Sequence, residues 1–132
     1  MCGIAGVFLK KSDERIINKV SRMEKILSHR GPDSSGSFTD KFIKLIHTRL
    51  SIVDLKGGNQ PIRNDEFVLI ANGEIYNDLE IRKKIKKYSY KSKSDSESII
   101  AVYSEFGISG FEKLRGMYAF ALYDKKKNIN PK

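Results

Sequence analysis

The stretch Met-Tyr-Ala-Phe-Ala-Leu-Tyr-Asp, residues 117–124, limits most narrowly what this 132-residue chain can fold into. With the two-residue period of a strand, Met117, Ala119, Ala121 and Tyr123 share one face, and Tyr118, Phe120 and Leu122 share the other. A strand apolar on both faces belongs inside a sheet, with layers above and below and neighbours on both edges. Two small alanines on one face imply a close neighbour packed there. The length suits a single domain. No apolar run approaches the roughly 18 residues of a membrane span. The N-terminus lacks the basic flank and long apolar core of a signal peptide.

The rest of the chain mixes both kinds of element. Residues 3–9 (GIAGVFL) and 67–71 (FVLIA) are short apolar runs that read as buried strands, the second ended by the turn signal Asn72-Gly73. Residues 42–53 hold two strand-like stretches, FIKLIH and LSIV. Ser12 is placed to cap a helix running to about His29, with Ile16, Val20, Met23 and Ile26/Leu27 at helical spacing; Gly31-Pro32-Asp33 stops it. A basic amphipathic segment over about 78–88 reads as helical. Ser94-Asp95-Ser96-Glu97 has the spacing of a capping box ahead of a helix carrying Ile99, Ile100, Val102, Tyr103 and Phe106, which Gly107 ends. A short helical stretch around 109–114 follows, and the last eight residues, 125–132, are a polar lysine-rich tail expected to fray. Without regular βαβ alternation, periodicity gives an α+β fold and nothing sharper.

The net charge is +9, with the densest basic stretch from Arg82 to Lys93. Such charge brings nucleic acid or an anionic membrane into question. No zinc spacing, aromatic RNA-binding pattern or arginine-rich tract accompanies it, so a solvated helix face is the reading adopted, with neither partner expected. Two histidines and one cysteine, far apart in sequence, do not make a zinc site. His29 and His47 read as hydrogen-bonded structural residues.

A lone cysteine is ordinarily a small buried hydrophobe. Cys2 differs by its position. A small second residue permits removal of the initiator methionine, which would give Cys2 the free α-amine. That amine has a pKa of about 7.7–8.0, against about 8.5 for a thiol, so proton transfer between them is nearly isoenergetic. One terminal residue can then supply both nucleophile and base. A single cysteine also makes no internal disulfide, which fits a reducing, cytoplasmic setting.

The motifs MCGIAGVF, HRGPDSSG (29–36), HTRLSIVDL (47–55), NQPI (59–62), NGEIYN (72–77), SDSE (94–97) and GMYAFALYD (116–124) occur in an order and spacing that resemble the glutaminase domain of asparagine synthetases, a class II glutamine amidotransferase family. The resemblance extends to Asp124. It implies an N-terminal-nucleophile αββα sandwich, two antiparallel sheets between helix layers, incomplete at its C-terminus. It also implies glutamine hydrolysis to glutamate and ammonia through a thioester on Cys2, the ammonia serving asparagine synthesis in intact members. Asn72 and Gly73 match the oxyanion hole, although Asn-Gly alone reads as a hairpin turn. Arg49 matches the residue gripping the glutamine α-carboxylate, a natural task for a guanidinium fork; alone it reads as a surface ion pair. Glu74 and Asp95 match the groups receiving the α-ammonium, though Asp95 in the first turn of its helix also suits capping. Leu50 and Ile52 match residues lining the glutamine pocket. His29-Arg30-Gly31-Pro32-Asp33 matches a signature for which no chemical step follows from residue type; a loop shaping the pocket entrance is the reading adopted.

The resemblance also implies that family members continue into further strands and an ATP-pyrophosphatase domain. Residues 1–124 are therefore read as part of a glutamine amidotransferase domain. No cofactor is expected here, ATP and Mg belonging to the synthetase domain, and the expected partners are L-glutamine and a synthetase domain or chain supplying the ammonia acceptor. A non-catalytic binding remnant, or an amidotransferase part serving another acceptor, is the alternative.

Overall fold

A computed structural model describes residues 1–52 and 57–127. Among the described residues six strands form two three-stranded sheets, accompanied by four α-helices. Sheet A has the order β1-β3-β2, from β1 (Gly3–Phe8), β2 (Ser34–Thr39) and β3 (Ile43–Arg49). Sheet B has the order β4-β5-β6, from β4 (Ile62–Arg63), β5 (Phe67–Ile75) and β6 (Gly116–Asp124). Every strand pairing within these two sheets is antiparallel.

Alternation along the strands decides what lies between the sheets. Ile43 and Leu45 of β3 meet Val68 and Ile70 of β5 and Tyr123 of β6 in one buried cluster, with Ile4, Phe38 and Ala121 against it. The opposite face of β5 carries Phe67, Leu69, Ala71 and Ile75 into a second cluster with Ile81, Ile85, Ile99, Ile100 and Val102. Those residues belong to or follow α3 (Asp78–Lys84) and α4 (Glu97–Phe106). Helices α1 (Glu14–Ser21) and α2 (Met23–Leu27) cover the outer face of sheet A. The layers run helix, sheet, sheet, helix, and the expected αββα sandwich is what the chain forms.

Several local expectations are corrected. Asp13, not Ser12, caps α1, its carboxylate accepting from the N–H groups of Arg15 and Ile16. The single expected helix is two, divided at Arg22, and its buried residues are Ile17 and Val20, while Ile16, Met23 and Ile26 are exposed. Asn72-Gly73 is no turn: β5 runs through it to Ile75, because Asn72 and Gly73 pair with Ala119 and Tyr118 of β6. LSIV forms no strand at 50–52, and Val53 lies outside the described residues. Strands β2 and β4 had no apolar signal to announce them. β6 has its apolar faces covered unequally: Tyr118, Phe120 and Leu122 pack on the helix-side core, whereas Met117 is exposed. Among the described residues β6 pairs only with β5. Lys125 to Lys127 form a turn rather than a frayed start to the tail, Lys125 donating from its backbone to Glu66 and from Nζ to the Asn64 carbonyl; residues 128–132 lie outside the described residues.

The 94–97 segment is not a capping box. Helix α4 begins at Glu97 with Ser96 at its cap, and no side chain caps it. Glu97 is fully buried, and its carboxylate accepts from the Tyr88 hydroxyl (3.0 Å), the Lys91 and Ser92 N–H groups (2.7 and 2.9 Å) and the Ser92 hydroxyl (2.7 Å). Burial, with the Glu97 charge beside it, pushes the Tyr88 phenol well up. Arg82 is likewise not part of a solvated basic face. Its Nε lies 2.8 and 2.9 Å from the Asp78 carboxylate, its other nitrogens donate to the Ser92 and Ser94 carbonyls, and its guanidinium stacks over Tyr90. Together these residues order the loop that delivers Asp95. Replacing Glu97 with Ala orphans several buried donors, and stability should fall by roughly 3 kcal/mol or more. Glu97→Gln, which keeps one acceptor oxygen, should lose less. Urea unfolding of both variants checks the order.

Candidate active site at one end of the sandwich

Cys2 immediately precedes β1, and Gly3 pairs with Thr48, so the cysteine lies beside Arg49 at the end of β3. Its sulfur lies 3.4 Å from the Leu50 backbone nitrogen, which donates to it, and 3.8 Å from the Leu50 carbonyl. Ile4 packs toward the inter-sheet core, and alternation puts the side chain of Cys2 on that same inner face. Arg49 shares its parity with Ile43 and Leu45 and faces inward too; it is buried, and one guanidinium nitrogen donates to Asn59 Oδ1 at 2.9 Å. On β5, Asn72 and Glu74 share the parity of Val68 and Ile70, so they face sheet A from across the gap.

The two sheets present these residues at the same end. At the other end Phe38 and Tyr123 are in ring contact at 5.8 Å, and the Tyr123 hydroxyl donates to Asp40. Running from there, β3 reaches Arg49 and β5 reaches Asn72. Gly73 has a φ of +134°, and a Cβ on it would collide with the Met117 carbonyl and the Tyr118 backbone. Only glycine permits β6 to lie so close to this point of β5. Asp95 stands two residues ahead of α4, not in its first turn, and its carboxylate accepts the Ile75 N–H at 2.5 Å. The capping alternative is thus replaced by an anchor to the end of β5. Glu74 is exposed at the strand end. Leu50 is at the sulfur through its backbone, whereas Ile52 is 72% exposed.

The HRGPD segment, which residue type alone left without a role, has one in the fold. Arg30 Nε donates to the Cys2 carbonyl at 3.2 Å. The Asp33 backbone N–H donates to the Arg49 carbonyl at 3.0 Å, and the Asp33 carboxylate accepts the Ser51 N–H at 2.6 Å. The loop thereby fastens the peptide of Cys2 and both sides of Leu50. Asn59 and Gln60 are a second contribution, one that the residue types of NQPI do not announce. Gln60 bonds both backbone groups of Ala71.

His29 makes the expected local bond, Nδ1 lying 2.8 Å from the Ile26 carbonyl. His47 departs from expectation. It is buried, and neither ring nitrogen reaches hydrogen-bond geometry with a described residue. Burial pulls its pKa down to about 4; the nearby Ala71 carbonyl opposes this, and the Arg49 charge adds to it. Among the described residues no group of three or more His, Cys, Asp or Glu could hold a metal ion, and no helix is long and apolar enough to cross a membrane. Two cavities lie away from this end: about 550 Å³ between the sheets beside β1 and β6, and about 520 Å³ between α3, α4 and the segment after it.

The profile of the glutamine amidotransferase domain matches residues 1–130, and the chain belongs to that family. Its similarity to particular proteins narrows the branch. Asparagine synthetase B (glutamine-hydrolysing) of Escherichia coli is 42% identical over 132 residues, covering 97% of this chain and 24% of that protein. Asparagine synthetase (glutamine-hydrolysing) 1 of Saccharomyces cerevisiae is 38% identical, covering 97% and 23%. The chain therefore spans under a quarter of the length of these relatives. Among solved structures, the glutamine phosphoribosylpyrophosphate amidotransferase of Bacillus subtilis superposes with a TM-score of 0.65 over 94% of this chain and 35% of that one; at 16% identity this likeness is one of fold.

His47 sets a pH dependence. Its folded pKa, about 4, lies below the unfolded value of about 6.5. Between those values the unfolded chain binds a proton that the folded chain excludes. The contribution of neutral His47 is thus fully present above about pH 6.5 and is lost as the pH falls toward 4, at up to about 1.4 kcal/mol per pH unit. Denaturant melts across this range should show the slope, and His47→Leu should flatten it; equal slopes would assign the acid sensitivity elsewhere.

Proposed function

We propose that this chain is the glutamine-hydrolysing part of an asparagine-synthetase-type amidotransferase, with Cys2 as nucleophile. The observation that carries the reading is the Cys2 thiol on the inner face, against the Leu50 backbone, with the tethered guanidinium of Arg49 on the same face of the neighbouring strand end. Removal of Met1 frees the α-amine of Cys2, which takes the thiol proton. The thiolate attacks the side-chain carbonyl carbon of glutamine and a C–S bond forms. Asn72 and the Gly73 N–H receive the oxyanion. The amine returns its proton to the amide nitrogen, the C–N bond breaks and ammonia leaves. Water then hydrolyses the γ-glutamyl thioester, giving glutamate and restoring the thiol. Arg49 pairs with the α-carboxylate, while Asp95 and Glu74 face the α-ammonium. Leu50 and Ile52 flank the bound glutamine. ATP and Mg act in a separate synthetase domain, which uses the ammonia on an activated aspartate. A reducing cytoplasm keeps the lone thiol competent.

Cys2→Ala should abolish glutamine hydrolysis and labelling by a diazoketone analogue of glutamine, with the thermal midpoint little changed; turnover equal to the parent chain would end the nucleophile assignment. Arg49→Lys keeps the charge but loses the fork. It should raise KM more than it lowers kcat, because the α-carboxylate contact is shared by ground and transition states. A collapsed kcat at unchanged KM would place Arg49 at the reacting carbon instead.

A further inference from the structure

The register of β4 on β5 continues past the point where the backbone stops pairing. Ile62 pairs with Leu69 and Arg63 with Val68, so the next position of the same kind sets Gln60 opposite Ala71. Pro61 intervenes and has no N–H to give. The Gln60 side chain takes over: its Oε1 accepts the Ala71 N–H at 2.6 Å and its Nε2 donates to the Ala71 carbonyl at 3.1 Å. A carboxamide has the same donor and acceptor pair as a peptide unit, so it extends the ladder by one rung. The Gln60 backbone meanwhile presses on sheet A. Gly36 of β2 lies so near the Gln60 carbonyl that a Cβ there would collide with it. The preceding residue, Asn59, reaches in the other direction to Arg49.

We infer that Asn59 and Gln60 are a pair of positioning residues that divide the work of the site, Gln60 setting the oxyanion-stabilising stretch of β5 and Asn59 setting the carboxylate-binding guanidinium. The inference rests on the roles given above to Cys2, Arg49, Asn72 and Gly73. Ala71 is the residue before Asn72; its N–H and its carbonyl are both held by Gln60 on one edge, and it lies opposite Phe120 of β6 on the other. Without the Gln60 amide the β4 edge of β5 is released one residue from the groups that receive the oxyanion. A displacement there acts on the transition state, where charge develops, and little on the bound substrate. Without the Asn59 amide the guanidinium keeps its charge but loses one fixed direction. That acts on substrate binding, which the ground and transition states share.

The test uses the full chain and two reagents for Cys2: a diazoketone analogue of glutamine, which needs the whole site, and iodoacetamide, which needs only the thiol. Gln60→Met, similar in length and lacking both bonds, should lower the limiting inactivation rate by the diazoketone on the order of 10–100-fold. Its half-saturating concentration should change little, as should the iodoacetamide rate. Gln60→Glu, which retains an acceptor but loses the donor, should show the same kind of loss. Asn59→Ala should do the reverse, raising the half-saturating concentration with the limiting rate near that of the parent chain. Thermal midpoints are measured alongside. If Gln60→Met reacts with the diazoketone like the parent, or loses both reagents' rates in proportion to a lowered midpoint, Gln60 is structural only and the inference fails. If both variants shift the same constant, the division of work is wrong. If the parent chain reacts with iodoacetamide but is not saturably labelled by the diazoketone, the glutamine-site reading itself fails, and this inference with it.

Discussion

Strand β5 is buried on both faces, and every layer of the molecule is referred to it. Phe67, Leu69, Ala71 and Ile75 meet the helices, while Val68 and Ile70 meet the other sheet. The alternation that makes a strand therefore joins two cores through one backbone. Val68, Leu69 and Ile70 are at most 1% exposed. Burying each such side chain stabilises by about 1.5–3 kcal/mol, so a slip by one residue would exchange the two cores and is strongly disfavoured. The same alternation carries Asn72 and Glu74 onto the inner face once the apolar residues have set the register. Chemistry at the end of β5 is thus placed by hydrophobic packing in its middle.

The site end of the sandwich is held by polar contacts that the cores cannot supply. Cys2 precedes its strand, and its peptide is fixed from outside by Arg30, while Asp33 fixes the chain on either side of Leu50. Asn59 and Gln60 span from β3 to β5. Asp95, carried on a loop ordered by Arg82 and the buried carboxylate of Glu97, anchors the last peptide of β5. Each of these partners lies far from its target in sequence, and all but Asn59, which holds the Arg49 guanidinium, act on a backbone group. Backbone groups at strand ends lack ladder partners, so side chains that satisfy them also determine where the strand ends sit.

Much of this was legible from residue order. Apolar runs at 3–9, 67–71 and 117–124, helical spacing at 97–106 and the glycine stop at 107 all correspond to elements of the fold. Of the residues in the motifs that resemble the glutaminase domain, Cys2, Arg49, Asn72 and Gly73 lie toward one end of the two sheets. Less legible were elements without an apolar signature. β2 is rich in Ser and Gly, and β4 is two residues long; both exist because a neighbour offers an edge. Asn72-Gly73 has the local chemistry of a turn, and β6 overrides it by pairing across it. Ser94 to Glu97 has the spacing of a capping box, yet a buried loop claims the carboxylate.

By itself the sequence determined the composition of the layers and the identity of the proposed reactive group. Strand and helix periods follow from side-chain polarity along the chain, and a thiol at position 2 is a matter of covalent order. Tertiary structure alone decided which groups share a site and which serve only to hold it. Arg30, Asn59, Gln60 and Asp95 are polar residues on loops, and nothing local distinguishes them from solvated neighbours. Their meaning comes from the partner each finds across the sandwich: the Cys2 carbonyl, the Arg49 guanidinium, the Ala71 peptide and the Ile75 N–H. A hydrogen bond depends on the separation and direction of two atoms, and for residues 10 to 28 positions apart only the folded backbone sets them.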